Sequence, residues 1–426
     1  MNVTVFGIWH LGCVTAACTA SADNRVIGLD FDQQVVADLR AGRPPISEPG
    51  LTDLIASEAK AGRLSFTTDA AEALRDTDVL WVTFDTPVNE RDEADVEFVR
   101  RQLELIRPHV RPNTIVLISS QVPVGFTRRQ RGLTPFLAYS PENLRLGKAI
   151  EVFRNPERVI LGVSDESIKP KLAELFRPFG NRIEWMSIES AEMTKHAINA
   201  FLATSVTFAN ELARLCEVVG ADAKEVERGL KSEGRIGPKA YLSPGGAFAG
   251  GTLARDLRFL TQFGKQFGVE TPLFDGVIAG NERHKTWTRD KVRQMLQGVA
   301  GPVVAVLGLT YKPGTDTLRR STSVELCRWM RGQGCVVKAH DPAIRELPED
   351  LRPVISLSPS APNALKGADL AVLATEWPDY RTLTAQDFLS AMRRPAVIDP
   401  NWFLAGVLGN ERKIHYVTTG RDSAKA

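Results

Sequence analysis

Three polar residues that could take part in catalysis lie in a long helical pattern and directly after a glycine-rich segment. Lys195 and Asn199 are four residues apart in "SAEMTKHAINAFLATSVTFANELARLCEVVG", so a helix places both on one face. Asp256 directly follows "SPGGAFAGGTLAR" (residues 243–255), which contains Thr252. On a mostly apolar helix face, a lysine can act as an acid, a base or a stabiliser of a developing oxyanion. The structural alternative is a surface lysine on an amphipathic helix.

A glycine-rich turn lies close to the N-terminus. In "VFGIWHLG", Gly7 and Gly12 take the first and third places of GxGxxG, whereas Trp9 takes the second, where glycine ordinarily lets the backbone approach a pyrophosphate. Asp30 ends "VIGLD", where it can accept a hydrogen bond from a ribose hydroxyl, which favours NAD over NADP. The pattern predicts a dinucleotide-binding site. The alternative is a strand–turn–helix without a ligand, and Trp9 favours this alternative.

Two further segments concentrate charges in turns. "SPENLRLGKA" carries Glu142 and Arg145, and "GLTYKPGTDTLRRS" carries Lys312 and Arg319. Cations in a loop that follows a strand suit diphosphate recognition, although solvated charges on a surface turn would have the same pattern. The five cysteines form no CxxC pair and the histidines show no ligand spacing, so no metal site is predicted. His196 is interpreted as structural.

The order of the predicted elements indicates what positions these residues. Apolar runs such as "NVTVFGI" and "RVIGLD" alternate with helical patterns over 1–188, which predicts an N-terminal Rossmann-like, doubly wound α/β domain. A mostly helical block over 189–298 includes one long helix that closes on Gly220. The alternation restarts at "PVVAVLGLTYK" and predicts a second Rossmann-like α/β domain over 299–418, with "PAVID" as its last strand. A disordered tail is expected at 419–426.

Composition excludes several classes of protein. The 426 residues are 43% hydrophobic and 24% charged, with a formal net charge of +2, which gives no electrostatic reason to expect nucleic acid or a membrane surface as partner. No apolar stretch reaches the roughly 18–20 residues that span a bilayer, and the start lacks the pattern of a signal peptide. With an odd number of cysteines, these features predict a cytoplasmic protein with reduced thiols.

Nine motifs, taken in order, resemble the UDP-glucose/GDP-mannose dehydrogenase family over nearly the whole chain. Beside the segments above they include "PPISEPGL", "SSQVPVGFT", "EGRIG" and "TEWPDYR". The resemblance implies an NAD-dependent enzyme that oxidises the 6-hydroxymethyl group of a nucleotide-diphosphate sugar twice, to a carboxylate. It implies an N-terminal NAD domain and a C-terminal domain for the nucleotide end of the substrate. Middle helices would pair two subunits, with the arginine of "RIG" reaching the neighbour's site.

The resemblance also assigns residues to the site. For the first oxidation it implies Lys195, Asn199 and Asp256, and for the second a retained glutamate, Glu142, with Thr252 at the position of the nucleophile. The residues expected to bind NAD are Gly7, Trp9, His10, Leu11, Gly12, Asp30, Thr86, Ser120 and Arg319. Those expected to bind the substrate are Asn143, Leu144, Arg145, Arg235, Tyr241, Gly245 and Lys312.

The residues that differ from the family pattern belong to the second oxidation, which the family performs through a cysteine thiolate. Thr252 takes the position of that cysteine, and its hydroxyl is a far weaker nucleophile than a thiol. Gln121 replaces a threonine that helps to position the hydrolytic water, and Leu146 replaces the second glutamate of its segment. Ala247 and Ala249 replace two loop glycines.

We therefore expect a dehydrogenase that performs one two-electron step between a UDP-hexose, or else a modified sugar nucleotide, and its 6-aldehyde. One alternative is four-electron oxidation to the uronate without a covalent intermediate, with Glu142 as base. The other is a catalytically impaired regulator that binds a nucleotide sugar; Trp9 and the loop alanines favour it, and the intact first-step residues argue against it. A homodimer is expected, with no nucleic acid or membrane partner.

Overall fold

The computed structural model describes residues 1–87, 94–142, 144–180, 182–249, 252–319 and 321–422. The chain forms two compact units, Met1–Ile198 and Asn199–Ala426. Most of the predicted helical middle block therefore lies in the same unit as the C-terminal sheet. The finer boundaries of three domains stay a prediction.

The first unit contains an eight-stranded sheet. Its strands are β1 (Asn2–Phe6), β2 (Arg25–Leu29), β3 (Leu64–Thr67), β4 (Val79–Val82), β5 (Ile115–Ile118), β6 (Leu137–Tyr139), β7 (Val159–Val163) and β8 (Ile183–Ser187). Their order is β3-β2-β1-β4-β5-β6-β7-β8, and all neighbours are parallel except β6 and β7. Parallel neighbours need crossover connections, so this is the doubly wound arrangement that the strand–helix alternation predicted.

Helices connect these strands and cover both faces of the sheet. They are α1 (His10–Ala20), α2 (Gln33–Arg40), α3 (Leu51–Lys60), α4 (Ala70–Leu74), α5 (Val96–Ile106), α6 (Phe126–Arg129), α7 (Ala149–Arg154) and α8 (Lys169–Phe176). Helix α9 (Ile188–Val219) follows β8. Successive strand residues point to opposite faces, so Val3 and Val5 pack in one core and Phe6 in the other. Strands buried on both faces explain the continuous apolar runs in the sequence.

The long helix was predicted closely from its periodicity. Helix α9 ends at Val219, and Gly220 follows with a φ of +79°. This left-handed conformation is the usual way for glycine to end a helix. The first ten or so residues of α9 belong to the first unit and the rest to the second.

The second unit combines helices with a seven-stranded sheet. Its further helices are α10 (Ala223–Ser232), α11 (Thr252–Phe267), α12 (Pro272–Met295), α13 (Thr322–Gly332), α14 (Ala361–Leu365), α15 (Ala385–Ala391) and α16 (Ala405–Leu408). Its strands are β9 (Val303–Leu307), β10 (Val336–His340), β11 (Ser356–Leu357), β12 (Leu370–Leu373), β13 (Ala396–Ile398), β14 (His415–Thr418) and β15 (Arg421–Asp422). Their order is β11-β10-β9-β12-β13-β14-β15, and only the last pair is antiparallel.

Two predictions about the C-terminus are wrong. "PAVID" is not the last strand, because β14 and β15 extend the sheet beyond it. The predicted disordered tail also starts too early, since Thr419 is fully buried and residues 421–422 form a strand. These strands are too short to show a clear alternating pattern in the sequence. Residues 423–426 lie outside the described part of the chain. No helix among the described residues is long and apolar enough to cross a membrane.

Candidate active site

The turn between β1 and α1 has the geometry that a dinucleotide fold requires. Gly7 follows β1 with a φ of +93°, which residues with a side chain rarely adopt. A Cβ atom at Gly12 would lie 2.0 Å from the Gly7 carbonyl oxygen, so only glycine allows α1 to come this close. Helix α1 begins at His10, and the N–H groups of a first helical turn have no partner within the helix. This end of α1 therefore favours an anion.

Asp30 lies directly after β2. Its carboxylate accepts hydrogen bonds from the backbone N–H groups of Ile8 at 2.9 Å and Asp32 at 3.0 Å. These bonds hold the carboxylate beside the glycine turn, and the side chain is only partly buried. Because a carboxylate can accept about four hydrogen bonds, Asp30 retains capacity for the two hydroxyl groups of a ribose.

Other residues predicted to contact NAD have contrasting surroundings. The Trp9 side chain is 45% exposed, so it is not packed into the protein. The buried Thr86 hydroxyl donates to the Gln121 carbonyl oxygen at 2.6 Å. The buried Ser120 hydroxyl has no hydrogen-bond partner within the described ranges, and such a group costs about 1–3 kcal/mol unless a ligand or water satisfies it. Ser120, Asp30 and the glycine turn fit a bound dinucleotide.

The His10 side chain makes a contact that the sequence did not predict. Its Nε2 atom lies 3.0 Å from a carboxylate oxygen of the buried Glu48. The Glu48 carboxylate also accepts hydrogen bonds from the N–H groups of Gly147 at 2.8 Å and Ala149 at 2.9 Å. Glu48 thus links the start of α1 to the segment after Glu142. Leu11, the next residue of α1, is buried.

Lys195 extends from α9 to Glu142. Its ammonium group donates a hydrogen bond to the Glu142 backbone carbonyl and lies 3.8 Å from a Glu142 carboxylate oxygen. The other carboxylate oxygen of Glu142 accepts from the Leu144 N–H at 2.6 Å. The Lys195 side chain is 6% exposed, so the alternative of a surface lysine is wrong. A cation with so little water around it acts strongly on nearby charge.

Two neighbours of the lysine on α9 hold the "QVPVGFT" segment. Glu192 is fully buried and accepts hydrogen bonds from the N–H groups of Gly125 at 2.5 Å and Thr127 at 2.9 Å. Burial raises the pKa of Glu192, although these hydrogen bonds oppose the shift. The buried His196 ring lies 3.1 Å from the Val122 carbonyl oxygen. This contact agrees with the structural role predicted for His196.

Asn199 and Asp256 form a buried pair in the second unit. The Asn199 side-chain amide donates a hydrogen bond to a carboxylate oxygen of Asp256. Both side chains are buried, Asp256 completely. Asn199 lies on α9 and Asp256 in the second turn of α11, so the pair joins two helices. The fold thus brings together two residues predicted for the first oxidation and gives each a polar partner, which buried polar groups require.

Thr252 has different surroundings. It is the first residue of α11, it is exposed, and no acid or base within the described ranges hydrogen-bonds to its hydroxyl. The start of a helix favours negative charge, but a threonine hydroxyl needs an adjacent base to become a nucleophile. Residues 243–249, which precede Thr252 in the chain, have no regular secondary structure and are called the glycine-rich loop below.

Buried asparagines hold the backbone of the glycine-rich loop. Asn210 of α9 accepts from the Gly245 N–H at 2.9 Å and donates to the Gly246 carbonyl at 3.2 Å. Asn281 of α12 bonds the N–H and carbonyl of Phe248 at 3.0 and 2.9 Å. Neither asparagine was predicted. The available signal was a polar residue on a buried helix face, which needs a partner.

His284 of α12 holds the same loop. Its Nε2 atom lies 2.8 Å from the Gly245 carbonyl oxygen. Because a carbonyl can only accept, Nε2 carries the proton. Burial lowers the pKa of His284, which favours the neutral ring. The sequence shows no ligand spacing around this histidine and does not predict its contact with the loop.

A cavity of about 690 Å³ opens beside the glycine-rich loop in the second unit. Tyr241, Gly245 and Lys312, three residues predicted to contact the substrate, line it. Four more cations line the same cavity, namely Lys224, Lys231, Lys285 and Arg289. The volume lies in the range of about 300–1,000 Å³ that is usual for small-molecule sites, and its cations suit a diphosphate.

Glu227 holds two of these lysines in place. Its carboxylate lies 2.9 Å from the Lys224 ammonium and 2.6 Å from the Lys231 ammonium, and it accepts from the Ser243 hydroxyl at 2.6 Å. Burial opposes ionisation of Glu227, but these hydrogen bonds outweigh it and hold its pKa at about 2. Glu227 is therefore charged at neutral pH and links both lysines to the start of the glycine-rich loop.

The remaining predicted residues lie elsewhere. Arg235 is exposed and pairs with a neighbouring glutamate at 3.0 Å, and it does not line the cavity. Arg319 is also exposed and outside the cavity lining. In the first unit, Arg145 is exposed, whereas Leu144 packs against the hydrophobic core. Asn143 lies outside the described residues.

Comparison with known proteins identifies the family. Models of the UDP-glucose/GDP-mannose dehydrogenase family match over residues 1–180 (NAD binding domain), 189–283 (central domain) and 305–405 (UDP binding domain). The UDP-glucose 6-dehydrogenase of Pseudomonas aeruginosa is 34% identical, covering 100% of this chain and 98% of its own length. UDP-glucose 6-dehydrogenase TuaD of Bacillus subtilis is 32% identical, covering 93% and 88%. A solved UDP-glucose dehydrogenase from the hyperthermophilic archaeon Pyrobaculum islandicum has a TM-score of 0.85 at 31% identity, covering 93% of each chain.

The chain therefore belongs to the UDP-glucose/GDP-mannose dehydrogenase family, which confirms the resemblance of its motifs. It is an NAD-dependent nucleotide-sugar dehydrogenase, and the predictions of enzyme class, cofactor and two Rossmann-like sheets are confirmed with it. Its substrate is a nucleotide sugar.

Proposed function

We propose that this member of the family oxidises the 6-hydroxymethyl group of a UDP-hexose once, to the 6-aldehyde. One contrast carries the proposal. Lys195, Asn199 and Asp256 are buried and hydrogen-bonded, whereas Thr252 is exposed and lacks a base within the described ranges. By resemblance, Thr252 takes the position of the thiol nucleophile of the second oxidation. An enzyme with the first set of groups and without that nucleophile would stop after two electrons.

The proposed roles follow from charge and contacts. The β1–α1 turn and Asp30 would hold NAD, which would supply the acceptor for the hydride of carbon 6. Lys195 stabilises the negative charge that develops on the substrate oxygen as the hydroxyl proton is lost. The Asn199–Asp256 pair orients the water that takes this proton. One alcohol thus yields one aldehyde and one proton, and two electrons leave with the hydride.

The second candidate is complete oxidation to the uronate without a covalent intermediate. Glu142 favours it, because its carboxylate lies 3.8 Å from the Lys195 ammonium and could take a proton from the hydrated aldehyde. The relatives named UDP-glucose 6-dehydrogenase favour it as well. Gln121 and Leu146 argue against it, because they replace residues that the family uses in the second step.

The substrate is proposed from the cavity of the second unit. The cations of its described lining support binding of a nucleotide diphosphate there, and part of its wall, including Lys312, lies in residues 305–405, which match a UDP binding domain. Relatives named for UDP-glucose favour a UDP-hexose over a modified sugar nucleotide. The exposed Arg235 fits a residue that would act in a neighbouring subunit.

A homodimer is proposed from the outer face of α9. Phe201, Phe208 and Leu215 are exposed and spaced seven residues apart, so they lie on one face of the helix. Exposed apolar residues in a row mark an interaction surface. Sedimentation of the wild type and of Phe208→Glu tests this, and a wild-type monomer would exclude the dimer. A cytoplasmic location stays part of the proposal.

The number of oxidation steps is tested by stoichiometry. The purified protein is incubated with NAD and UDP- or GDP-sugars, NADH is followed by absorbance and products by mass spectrometry. One NADH per sugar, with an aldehyde or its hydrate as product, supports the proposal. Two NADH and a carboxylate would overturn it in favour of the second candidate.

Three variants sharpen this experiment. Lys195→Ala should lower kcat by on the order of 10³-fold, whereas the exposed Lys265→Ala should not. Thr252→Ala should leave first-step kcat within about twofold. Thr252→Cys should raise the yield toward two NADH, because a thiol carries a few per cent of thiolate near neutral pH, and more at a helix N-terminus.

A further inference from the structure

A corner of the C-terminal sheet contacts the glycine-rich loop. Strand β13 leads into "DPNW" (399–402), which lies before α16. The Asn401 Oδ1 atom accepts a hydrogen bond from the Gly246 N–H at 2.7 Å, across 155 positions of the chain. A Cβ atom at Gly245 would lie 2.5 Å from the same oxygen, so the loop has glycine where Asn401 approaches it.

This corner has a strained backbone that its neighbours hold in place. Trp402 has a φ of +61°, in the left-handed region that bulky residues rarely adopt. Its indole N–H donates to the Thr419 carbonyl at 2.9 Å. The buried Asp399 carboxylate accepts from the Leu404 N–H at 2.7 Å and the Tyr416 hydroxyl at 2.6 Å. Such strain persists only where the surroundings over-determine it, and it clusters at functional sites.

Asn401 also belongs to the wall of the cavity that we assign to the nucleotide diphosphate. Glu376 lies in the same wall. Burial raises the pKa of Glu376, and a side-chain hydrogen bond from Asn401 opposes this shift. One residue therefore bonds the loop through its amide oxygen and also lines the cavity.

Most of the other side chains that hold this loop come from helices, and the Thr419 hydroxyl, between β14 and β15 of the C-terminal sheet, donates a longer hydrogen bond of 3.4 Å to the Gly245 carbonyl. Asn210 lies on α9, and Asn281 and His284 lie on α12. Asn401 adds a hydrogen bond from the sheet that matches the UDP binding domain. Its loss would leave the helical contacts and the longer Thr419 contact in place, and would remove the short hydrogen bond to the Gly246 N–H.

We propose that Asn401 is a positioning residue that ties the glycine-rich loop to the nucleotide-binding cavity. An occupied cavity then fixes the loop that leads to Thr252 and Asp256. The roles of Thr252 and Asp256 in this proposal rest on the proposed function. The contact between Asn401 and the loop is independent of it. Asn401 is expected to act on turnover more than on affinity for the nucleotide itself.

The test compares Asn401→Ala and Asn401→Asp with Asn410→Ala, an exposed asparagine of the same sheet region. In Asn401→Ala, amide exchange in the peptide that contains Gly246 should become about five- to tenfold faster, and kcat for the nucleotide sugar should fall by a similar factor. The Kd for UDP should change by less than about twofold. Asn410→Ala should match the wild type in all three.

The Asn401→Asp variant separates the loss of the hydrogen bond to the loop from a change in side-chain size. A carboxylate keeps an acceptor for the Gly246 N–H, so amide exchange of that peptide should stay near the wild-type rate. The variant also adds a second carboxylate to the cavity wall that contains Glu376, so kcat should fall with rising pH. Unchanged exchange in Asn401→Ala, or a tenfold loss of UDP affinity with unchanged kcat, would overturn the proposal. Amide exchange and the Kd for UDP do not depend on the number of oxidation steps. If the one-step function is wrong, these two measurements therefore still test the role of Asn401.

Discussion

The two sheets of this protein have corresponding strand orders but different first turns. Strands β1 and β9 each pair with a second strand that precedes an aspartate, Asp30 in one sheet and Asp341 in the other. A glycine with positive φ follows each first strand, Gly7 at +93° and Gly308 at +96°. In both sheets the aspartate accepts a hydrogen bond from the backbone just after that glycine. The segments around Gly7 and Gly308 therefore form the same local structure in the two sheets.

The two aspartates nevertheless have different capacities. Asp341 is buried, and one oxygen accepts from the N–H groups of Leu309 at 2.7 Å and Thr310 at 2.9 Å, the Thr310 hydroxyl at 3.0 Å and the Trp377 indole at 3.1 Å. Asp30 accepts two backbone bonds and is partly exposed. A saturated, buried carboxylate stabilises the fold, whereas an accessible one with spare lone pairs can bind a ligand.

The first turns differ in length as well. After Gly7 the helix begins at His10, whereas after Gly308 it begins only at Thr322. The longer connection includes Lys312, which lines the cation-rich cavity. One sheet thus presents a helix N-terminus to an anion, and the other presents a loop with cations. The turn, and not the sheet, therefore decides what each half can bind.

The largest effect is expected at Asp341. Asp341→Asn places an NH₂ group or a weaker acceptor against several N–H donors, so the free energy of unfolding should fall by about 3 kcal/mol. Urea denaturation measures it, and Asp350→Asn, at an exposed ion pair, should change it by less than about 0.5 kcal/mol. The Kd for NAD should not change; a large loss of NAD affinity would mean that the two aspartates are equivalent after all.

The next effect is expected at the tight turn. Gly12→Ala places a Cβ atom 2.0 Å from the Gly7 carbonyl oxygen, so α1 must move away from β1. The Kd for NAD, measured by calorimetry, should rise on the order of 100-fold. Gly229→Ala is the matched control, because it lies in helix α10 with open space around it. Equal NAD affinity in Gly12→Ala and wild type would show that the close approach is not needed.

Asp30→Ala should have a smaller effect on the same measurement. Loss of hydrogen bonds to a charged acceptor should raise the Kd for NAD about 10- to 30-fold. The ratio of NADP to NAD affinity should increase, since the repulsion of a 2′-phosphate is removed. Asp53→Ala, at an exposed position of α3, provides the control. An unchanged cofactor preference would argue that Asp30 serves the fold as Asp341 does.

The smallest effect is expected at Trp9. Its side chain is 45% exposed, so it makes few contacts, yet it takes the place where glycine usually permits close approach. Trp9→Gly should lower the Kd for NAD by less than about fivefold. Phe267→Ala, at another exposed aromatic residue, should leave it unchanged. Weaker binding by tenfold in Trp9→Gly would instead indicate that the indole contacts the cofactor.

Local patterns predicted the elements well where they were long or strongly apolar. The 3.6-residue periodicity and Gly220 located α9, and the apolar runs located β1 and β2. The short strands β14 and β15 were missed, because their pairing with β13 and with each other decides that they are strands. Short segments of this kind carry too few residues for a period to emerge.

The candidate site also combines features that the sequence predicts with contacts that it does not predict. The spacing of Lys195 and Asn199 on one helix, the glycines of the first turn and the identity of Thr252 are all present in the sequence. The contact of Lys195 with Glu142, of His10 with Glu48 and of Gly246 with Asn401 joins residues that are 53, 38 and 155 positions apart. No local pattern encodes such pairs.

Residue types and short spacings were sufficient to predict the family, the cofactor class and the replacement of a thiol by a hydroxyl at Thr252, because these properties are local in the sequence. The packing of distant segments sets three further properties: Lys195 is buried against Glu142, Asp30 accepts fewer hydrogen bonds than Asp341 from the described residues, and Thr252 is exposed. Burial and hydrogen-bond saturation depend on which distant segments pack together. They set the strength of a charge and the capacity of a carboxylate, so identical residue types acquire different functions in the two sheets.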